Sequence, residues 1–283
     1  MEPVQEWAFA RAAPPLRPFV HGYHGYRQAG LPPARHAGLP SPFLTLILTL
    51  HEPLVVAAHP DPTQPGGTYG ALVGGLHTRP ALVTHEGAQS GVQVALDPLG
   101  ARALLGVPAG ELAELDVDAD AVLGPLADRA REQMLAAPSW PARFAALDRL
   151  LLARVRGTDG VLAAPEVVHA WRRLRTSAGG VRVADLATET GWSPRHLGAV
   201  MRREIGLAPK AAARVVRFDR ARRLLAGTGA TVADVAAATG YADQSHLDRE
   251  FRRLAGAPPS RWLAEEVRNV QVPPPEQLAA SAS

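Results

Sequence analysis

Residues Val183 to Leu197 read Val-Ala-Asp-Leu-Ala-Thr-Glu-Thr-Gly-Trp-Ser-Pro-Arg-His-Leu. Residues Val232 to Leu247 repeat the pattern as Val-Ala-Asp-Val-Ala-Ala-Ala-Thr-Gly-Tyr-Ala-Asp-Gln-Ser-His-Leu. Each copy then runs through a basic segment to a Gly-x-x-Pro, at Gly206–Pro209 and at Gly256–Pro259. A pattern written twice predicts two equivalent supersecondary units.

Each copy has the features of a helix-turn-helix. Ala187 and Ala236 stand where two helices would cross closely, and Gly191 and Gly240 leave the first helix, where a positive φ costs glycine nothing. The second helices have N-caps at Ser193, which is followed by a proline, and at Asp243; Thr231 with Asp234 resembles a capping box.

The segments after each turn alternate apolar and basic positions at helical spacing. The apolar positions predict buried stripes at Leu197, Val200, Met201, Ile205, Leu247, Phe251 and Leu254. Six arginines fall on the outward faces: Arg195, Arg202, Arg203, Arg249, Arg252 and Arg253. Between the units, Lys210–Ala226 lacks proline and glycine and predicts one long connecting helix.

These residues resemble the DNA-binding domain of AraC/XylS-type transcription regulators. The resemblance covers about the C-terminal third, and the second turn is one residue longer than the first, as in the family. It implies a bacterial regulator whose two recognition helices enter successive major grooves of double-stranded DNA. It also implies a small-molecule effector of unknown identity bound by a cupin-like N-terminal barrel, a homodimer, and contact with RNA polymerase.

Position along each recognition helix predicts which side chains reach DNA. Exposed side chains in the first turns reach base edges, and later ones face phosphates. The predicted base contacts are Arg195, Gly198, Ala199, Gln244, Ser245, His246 and Arg249, and the family motif matches the first three places. The predicted phosphate contacts are Arg202, Arg203, Arg252 and Arg253. The sequence departs from the family at Ala199, where a long polar residue is common; Arg249 could instead pair with Asp248 or Glu250.

Composition limits the class of protein. The 283 residues are 47% hydrophobic and 20% charged and include no cysteine, which excludes disulfides and thiolate chemistry. No secretory signal and no apolar run of about 18 residues is present, so we expect a cytoplasmic protein without a membrane span. From Thr158 to Val272 there are 18 basic and 12 acidic residues, so the positive charge lies on the repeated module, as phosphate binding requires.

The N-terminal part predicts a sandwich or barrel of short strands. Apolar runs between glycine and proline turns predict strands at Phe43–Leu50, Leu54–Ala58, Ala71–His77, Ala81–His85 and Gly91–Leu96; the first 42 residues show only weak periodicity. Short helices are expected at Leu99–Leu105 and Ala109–Leu115. The expected fold class is α+β multidomain: a β-rich, cupin-like domain (1–117), a helical hairpin with a hinge (118–160), an all-α double helix-turn-helix domain (161–268) and a disordered tail (269–283).

The hairpin consists of predicted helices at Asp120–Ala136 and Ala142–Arg156. Four side chains fall on one face of the second helix: Phe144, Leu147, Leu151 and Val155. Two alternatives are open: the stripe packs on the chain's own barrel, or it pairs with a second copy. The family resemblance favours dimerisation. The hinge is predicted at Gly157–Gly160 and the next helix at Glu166–Thr176.

The sequence contains no motif that is typical of a metal site, a cofactor site or an active site. Seven histidines lie in the first third, but no His-x-His or His-Glu-x-x-His occurs, and no nucleophile elbow, Walker loop or dinucleotide fingerprint is present. We therefore predict no metal, no cofactor and no catalytic residues, and a chain that is not an enzyme. The alternative function is an enzyme or carbohydrate-binding barrel fused to a DNA-binding module.

Overall fold

The chain folds into a β-rich N-terminal domain, a helical hairpin and an all-helical C-terminal domain, as the sequence predicts. A computed structural model describes residues 3–157, 163–227 and 229–269. Most of the predicted hinge and all but the first residue of the predicted tail lie outside these residues. Within them, no helix is both long and apolar enough to cross a lipid bilayer.

Two antiparallel sheets form the N-terminal domain. Sheet A has the order β1-β2-β9-β4-β7-β10, and sheet B has the order β3-β8-β5-β6. The strands are β1 Val4–Ala10, β2 Val20–Ala29, β3 Ala34–Gly38, β4 Leu44–Thr49, β5 Leu54–Ala58, β6 Gly67–Tyr69, β7 Ala71–Gly74, β8 Ala81–His85, β9 Gln89–Leu96 and β10 Asp116–Asp118. The described strands pair within two separate sheets, so the domain is an open, cupin-like sandwich.

All five predicted strands are present, and the largest difference is in the first 42 residues. Three strands lie there, including the ten-residue β2. The sequence analysis does not predict β2, because one face of this strand carries His24, Tyr26 and Gln28. The strand therefore lacks the simple alternation of apolar and polar residues by which a strand is recognised. The strand at Ala71 ends at Gly74, three residues earlier than predicted.

Eleven helices are assigned within the described residues. They are α1 Ala101–Leu105, α2 Asp120–Leu123, α3 Leu126–Ala136, α4 Trp140–Arg156, α5 Pro165–Thr176, α6 Val183–Thr190, α7 Pro194–Ile205, α8 Pro209–Gly227, α9 Val232–Ala238, α10 Gln244–Ala255 and α11 Pro259–Asn269. The predicted helix 120–136 is divided because Gly124 adopts a positive φ of 56° and Pro125 follows it. The predicted helix 109–115 is only a 3-10 turn, Ala109–Leu112.

The predicted dimerisation stripe is buried inside the protomer. Phe144, Leu147 and Leu151 are at most 5% exposed, and Val155 packs against the same core. The ring of Phe144 stacks on Tyr23 of sheet A at 5.6 Å. The prediction that this stripe pairs with a second copy is therefore wrong for Phe144, Leu147 and Leu151, which are buried within the protomer. Sheet A offered an apolar face of its own, and the helix covers it.

Two hydrophobic clusters divide the C-terminal domain. Apolar side chains of α5, α6, α7 and the first half of α8 belong to one continuous core with sheet A and the hairpin. Side chains of the second half of α8 with α9, α10 and α11 form a separate core around Phe218, Phe251 and Trp262. The first helix-turn-helix thus shares one continuous core with the N-terminal domain, whereas the second has its own core, against which the N-terminal domain packs through Leu39.

Candidate nucleic-acid interface

The first helix-turn-helix consists of α6, a turn and α7. Gly191 ends α6 with a φ of 70°, and nothing lies within 4 Å of where a Cβ would stand, so backbone conformation is what favours glycine here. The Ser193 side chain then accepts a hydrogen bond from the backbone N–H of His196 at 3.2 Å. This cap begins α7, whose buried face carries Leu197, Met201 and Ile205.

The second helix-turn-helix repeats this arrangement with α9 and α10. The capping box is confirmed: the backbone N–H of Asp234 donates to Thr231 Oγ1 at 3.2 Å, and that of Thr231 donates to Asp234 Oδ2 at 3.3 Å. Gly240 follows α9 with a φ of 76°. Asp243 caps α10 by accepting from the backbone N–H of His246 at 2.6 Å.

An aromatic ring fills the turn of each unit. Trp192 meets the ring of His196 edge-on at 4.8 Å, and Tyr241 meets that of His246 at 5.2 Å. Tyr241 is 5% exposed and Trp192 packs against the first core. The two aromatics are therefore core residues, and each one supports the first turn of a recognition helix.

Helix α8 joins the two units as a continuous rod. Its 19 residues span about 28 Å. A paired ion bridge holds α10 against it: Arg214 Nε donates to Glu250 Oε2 at 2.7 Å and Arg214 Nη2 to Glu250 Oε1 at 3.1 Å. Because α7 and α10 belong to different cores at the two ends of α8, neither recognition helix is buried against the other.

The three predicted base contacts on α7 differ from one another in their exposure to solvent. Arg195 and Ala199 are exposed. Gly198 is buried, and Arg202 Nη2 lies 4.0 Å from the position of an added Cβ. No other heavy atom lies within 4 Å of that position, apart from the helix's own backbone and the two chain neighbours, so the direction of a side chain at Gly198 is open and its contact with a base stays a prediction.

On α10 three of the four predicted base contacts are exposed. Gln244, Ser245 and Arg249 point away from the core, whereas His246 is half-buried by its contact with Tyr241. The alternative pairing of Arg249 with Glu250 is not formed, because Glu250 is bound by Arg214. No ion pair of Arg195 or Arg249 is found among the described residues, so their guanidinium groups stay predicted base contacts.

The four predicted phosphate contacts are exposed but not equivalent. Arg202 and Arg252 lie on open helix faces. Arg203 Nε donates to Glu204 Oε1 at 2.8 Å, although its side chain remains 67% exposed. Arg253 lines a cleft of about 510 Å³ together with His59, Pro60, Pro62, Thr78, Arg79 and Pro80 of the N-terminal domain. Arg253 thus stands between the predicted DNA face and the β-rich domain.

A contact between α7 and the N-terminal domain was not predicted. Arg102 of α1 binds Glu204 of α7 through two hydrogen bonds of 3.0 Å, and Glu204 is 7% exposed. Burial would raise the pKa of Glu204, but hydrogen bonds from Arg102 and Arg203 outweigh it and lower this pKa. At Gly110 an added Cβ would lie 2.2 Å from the Arg203 carbonyl oxygen, so the backbones meet without room for a side chain.

A second ion pair crosses the same boundary. Arg175 Nη1 of α5 donates to Asp97 Oδ2 at 2.6 Å, and its guanidinium lies 4.7 Å over the ring of Phe43. Burial raises the pKa of Asp97, although Arg175 opposes this rise. Asp97 also caps the turn after β9 by accepting from the backbone N–H of Leu99 at 3.0 Å. No local sequence signal marks Arg102 or Asp97, because their partners lie 102 and 78 residues away.

Two family models match this chain. Residues 186–265 match a model described as a helix-turn-helix domain, and residues 9–118 match one described only as a domain of unknown function, DUF6597. The first match spans both units described above, from α6 to α11. The C-terminal part of the chain is an AraC/XylS-type helix-turn-helix domain.

Curated relatives agree with this AraC/XylS-type domain. The chain is 36% identical to the HTH-type transcriptional regulator Rv1931c of Mycobacterium tuberculosis over 89 residues. This aligned segment covers 31% of this chain and 34% of that protein. It is also 33% identical to the transcriptional activator NphR of a Rhodococcus species over 88 residues. This aligned segment covers 31% of this chain and 26% of that protein. The chain thus spans about a third of the length of the first relative and about a quarter of the length of the second.

Solved structures of ToxT from Vibrio cholerae share the whole architecture. One covers 86% of this chain and 96% of its own with a TM-score of 0.50 at 13% identity. Another, of ToxT bound to an unsaturated fatty acid, covers 82% of this chain and 91% of its own with a TM-score of 0.51 at 11% identity. At such low identity the likeness concerns the fold alone.

Proposed function

We propose that this protein is a sequence-specific DNA-binding transcription regulator controlled by a small molecule bound in its N-terminal domain. The observation that supports DNA binding best is the pair of capped helices α7 and α10. Both project arginines away from their cores, and a single rod holds them apart. Such helices fit the width of a major groove, and guanidinium groups pair with guanine edges or phosphates.

Effector control is proposed on two grounds. The core of the first unit is continuous with sheet A and the hairpin, so a change in the N-terminal domain acts directly on α7. ToxT, whose fold is similar, has been solved with an unsaturated fatty acid bound. A homodimer and contact with RNA polymerase belong to the proposal too, but the dimer would use a surface other than the buried stripe on α4.

The test is to select bound fragments from random and genomic DNA with the full chain and to footprint one of them. We expect two protected major-groove segments about 10 base pairs apart on one side of the duplex. Protection of a single groove segment, or no selected sequence at all, would contradict the proposal.

Two substitutions separate base contacts from phosphate contacts. Arg195→Ala and Arg249→Ala should each weaken binding to the selected site by about 1 to 3 kcal/mol, because a bidentate arginine–guanine pair is lost, and should change binding to random DNA much less. Arg252→Ala is the matched control, expected to weaken both kinds of DNA alike. Equal losses for Arg249→Ala on both would show that it touches only phosphate.

A further inference from the structure

The cleft beside Arg253 lies between the N-terminal domain and α10. Two loops of the N-terminal domain line it, residues 59, 60 and 62 after β5 and residues 78–80 before β8, and Arg253 lines it from the last turn of α10. Its volume of about 510 Å³ is in the range of about 300 to 1,000 Å³ that small-molecule sites occupy. Because three lining residues, Pro60, Pro62 and Pro80, have fixed φ angles, we call it the proline cleft.

The loop that carries Arg79 is held by the side chains around it. Glu114 accepts two hydrogen bonds from Thr78, one from the hydroxyl at 2.8 Å and one from the backbone N–H at 3.2 Å. Glu114 itself has a φ of 62°, a strained conformation that persists only where the surrounding structure maintains it. His77 Nδ1 donates to the Arg79 carbonyl oxygen at 2.5 Å. These contacts fix the backbone of the loop, and none of them uses the Arg79 guanidinium.

The loop after β5 is held in a similar way. The imidazole of His59 is buried, with Nδ1 2.7 Å from Asp116 Oδ2 and Nε2 3.1 Å from the Tyr69 hydroxyl. Gln64 Oε1 accepts from the backbone N–H of Asp116 at 3.3 Å. The part of the cleft that the N-terminal domain supplies is therefore shaped before anything binds, which lowers the free energy lost in ordering it on binding.

The proline cleft has a positive charge that the chain does not neutralise. Arg79 and Arg253 are both exposed, and neither guanidinium has a hydrogen bond or an ion pair within the part of the chain that the structure describes. No Asp or Glu is found among the described residues that line the cleft. Two arginines that share one cleft without a partner are accounted for if an anion from outside the chain binds there.

The carboxylates around the cleft already have partners. Asp61, between the two prolines of the first loop, accepts from the backbone N–H and the hydroxyl of Thr63, both at 2.8 Å. These hydrogen bonds lower the pKa of Asp61, and the charge of Arg79 contributes less to this shift. Three further carboxylates are bound by neighbouring side chains: Glu114 by Thr78, Asp116 by His59, and Glu250 of α10 by Arg214.

We propose, resting on the function proposed above, that the proline cleft binds a small organic anion and that this anion is the effector. A phosphate or carboxylate group of the ligand binds Arg79 and Arg253 together, because the forked guanidinium matches the geometry of both groups. The uncharged body of the ligand packs against the proline rings. A cationic ligand is repelled by the same two guanidinium groups.

Occupation of the cleft acts on DNA binding through Arg253. This arginine is a predicted phosphate contact, and a guanidinium that is paired with the ligand contributes less to the binding of a DNA phosphate. The ligand should therefore weaken DNA binding, and DNA should weaken ligand binding by the same factor. The bound ligand should also reduce the slope of log DNA affinity against log salt by about 1.

The first experiment measures binding to the purified full chain by calorimetry at low salt without DNA. The anionic probes are phenyl phosphate and benzoate, the uncharged counterpart is benzyl alcohol, and the cationic counterpart is benzylammonium. We expect at least one anionic probe to bind about tenfold more tightly than both counterparts. Equal binding of benzyl alcohol, or no binding of either anion, would overturn the proposal.

Variants locate the binding. Arg79→Gln removes one guanidinium from the cleft and should weaken the better anionic probe about tenfold, and Arg253→Gln should do the same from α10. Arg129→Gln is the matched control, because it removes an exposed arginine of α3 that does not line the cleft. An equal loss for Arg129→Gln would show that the probe responds to net charge alone, and the site would be refuted.

A DNA titration separates the cleft from the regulator. The better anionic probe should weaken binding of the selected fragment, and an unchanged DNA affinity with the probe bound would refute the effector role. DNA selection without probe binding refutes the cleft alone, whereas probe binding without DNA selection supports the cleft and refutes the regulator. If no probe binds and Arg79→Gln weakens DNA binding as much as Arg253→Gln does, a DNA phosphate occupies the cleft and the proposal is wrong.

Discussion

Replacing Arg102 with alanine tests the contact between the N-terminal domain and the first recognition helix. The change removes both hydrogen bonds to Glu204 and leaves that carboxylate in place. Breaking a fully buried ion pair costs about 3 to 5 kcal/mol, and breaking an exposed one costs about 0 to 1. Glu204 is 7% exposed and Arg102 is 30% exposed, and Arg203 continues to contact Glu204, so we expect a loss of about 2 kcal/mol.

The assay is urea unfolding of the full chain followed by far-UV circular dichroism, combined with a double-mutant cycle that includes Glu204→Gln. A loss of about 2 kcal/mol corresponds to a fall in Tm of about 3 °C for a chain of this size. Arg203→Ala is the matched control: it contacts the same carboxylate from an exposed position and should cost less than about 1 kcal/mol. Equal losses for the two arginines would show that burial does not set the strength of this contact.

The same comparison has a pH dependence of known sign. The pKa of Glu204 is lowered in the folded chain from its ordinary value of 4.5. Such a group contributes its stabilisation above its unfolded pKa and loses it as the pH falls through the folded pKa. The advantage of the wild type over Arg102→Ala should therefore be full at pH 7 and shrink below about pH 4.5. An advantage that grows on acidification would refute the assignment.

Three further outcomes are expected. Phe144→Ala should lower the free energy of unfolding by about 3 to 5 kcal/mol, because a core ring is lost, and should leave the mass measured by light scattering unchanged. A change of oligomeric state with little loss of stability would show instead that Phe144 lies in a subunit interface. Thr231→Ala should cost about 1 kcal/mol because it removes a capping box, whereas Thr188→Ala, within an exposed helix face, should cost almost nothing in the same urea titration. Arg252→Ala and Arg253→Ala should each reduce the slope of log affinity against log salt by about 1, and an unchanged slope would remove that arginine from the phosphate contacts.

The parts of the fold that could be predicted from the sequence are those determined by neighbouring residues. The capping box at Thr231, the cap at Ser193 and the turn at Gly191 each depend on two to four consecutive positions, and all three are present. The rod α8 was predicted to within one residue at each end, because nothing in it breaks a helix. These local rules are enough to specify both helix-turn-helix units.

What could not be predicted depends on partners distant in the chain. Strand β2 was not predicted, because its inner face is built from polar and aromatic residues, which give no regular apolar pattern. The face of α4 was recognised as apolar, but its partner was not, since an apolar stripe packs equally well on a second copy or on sheet A. The contact of Glu204 could not be predicted, because its partner Arg102 lies 102 positions earlier in the chain.

The two helix-turn-helix units have nearly the same sequence pattern but different attachments, and this asymmetry limits how a signal can travel. Helix α7 shares a core with sheet A and is bound to α1 through Glu204. Helix α10 has its own core, and the N-terminal domain packs against that core at Leu39 and approaches Gly256 at Pro80. We expect a change in the N-terminal domain to act on α7 through the shared core, and on α10 through α8 and the smaller contacts at Leu39 and Pro80. The relative orientation of the two recognition helices is therefore the quantity that an effector could alter.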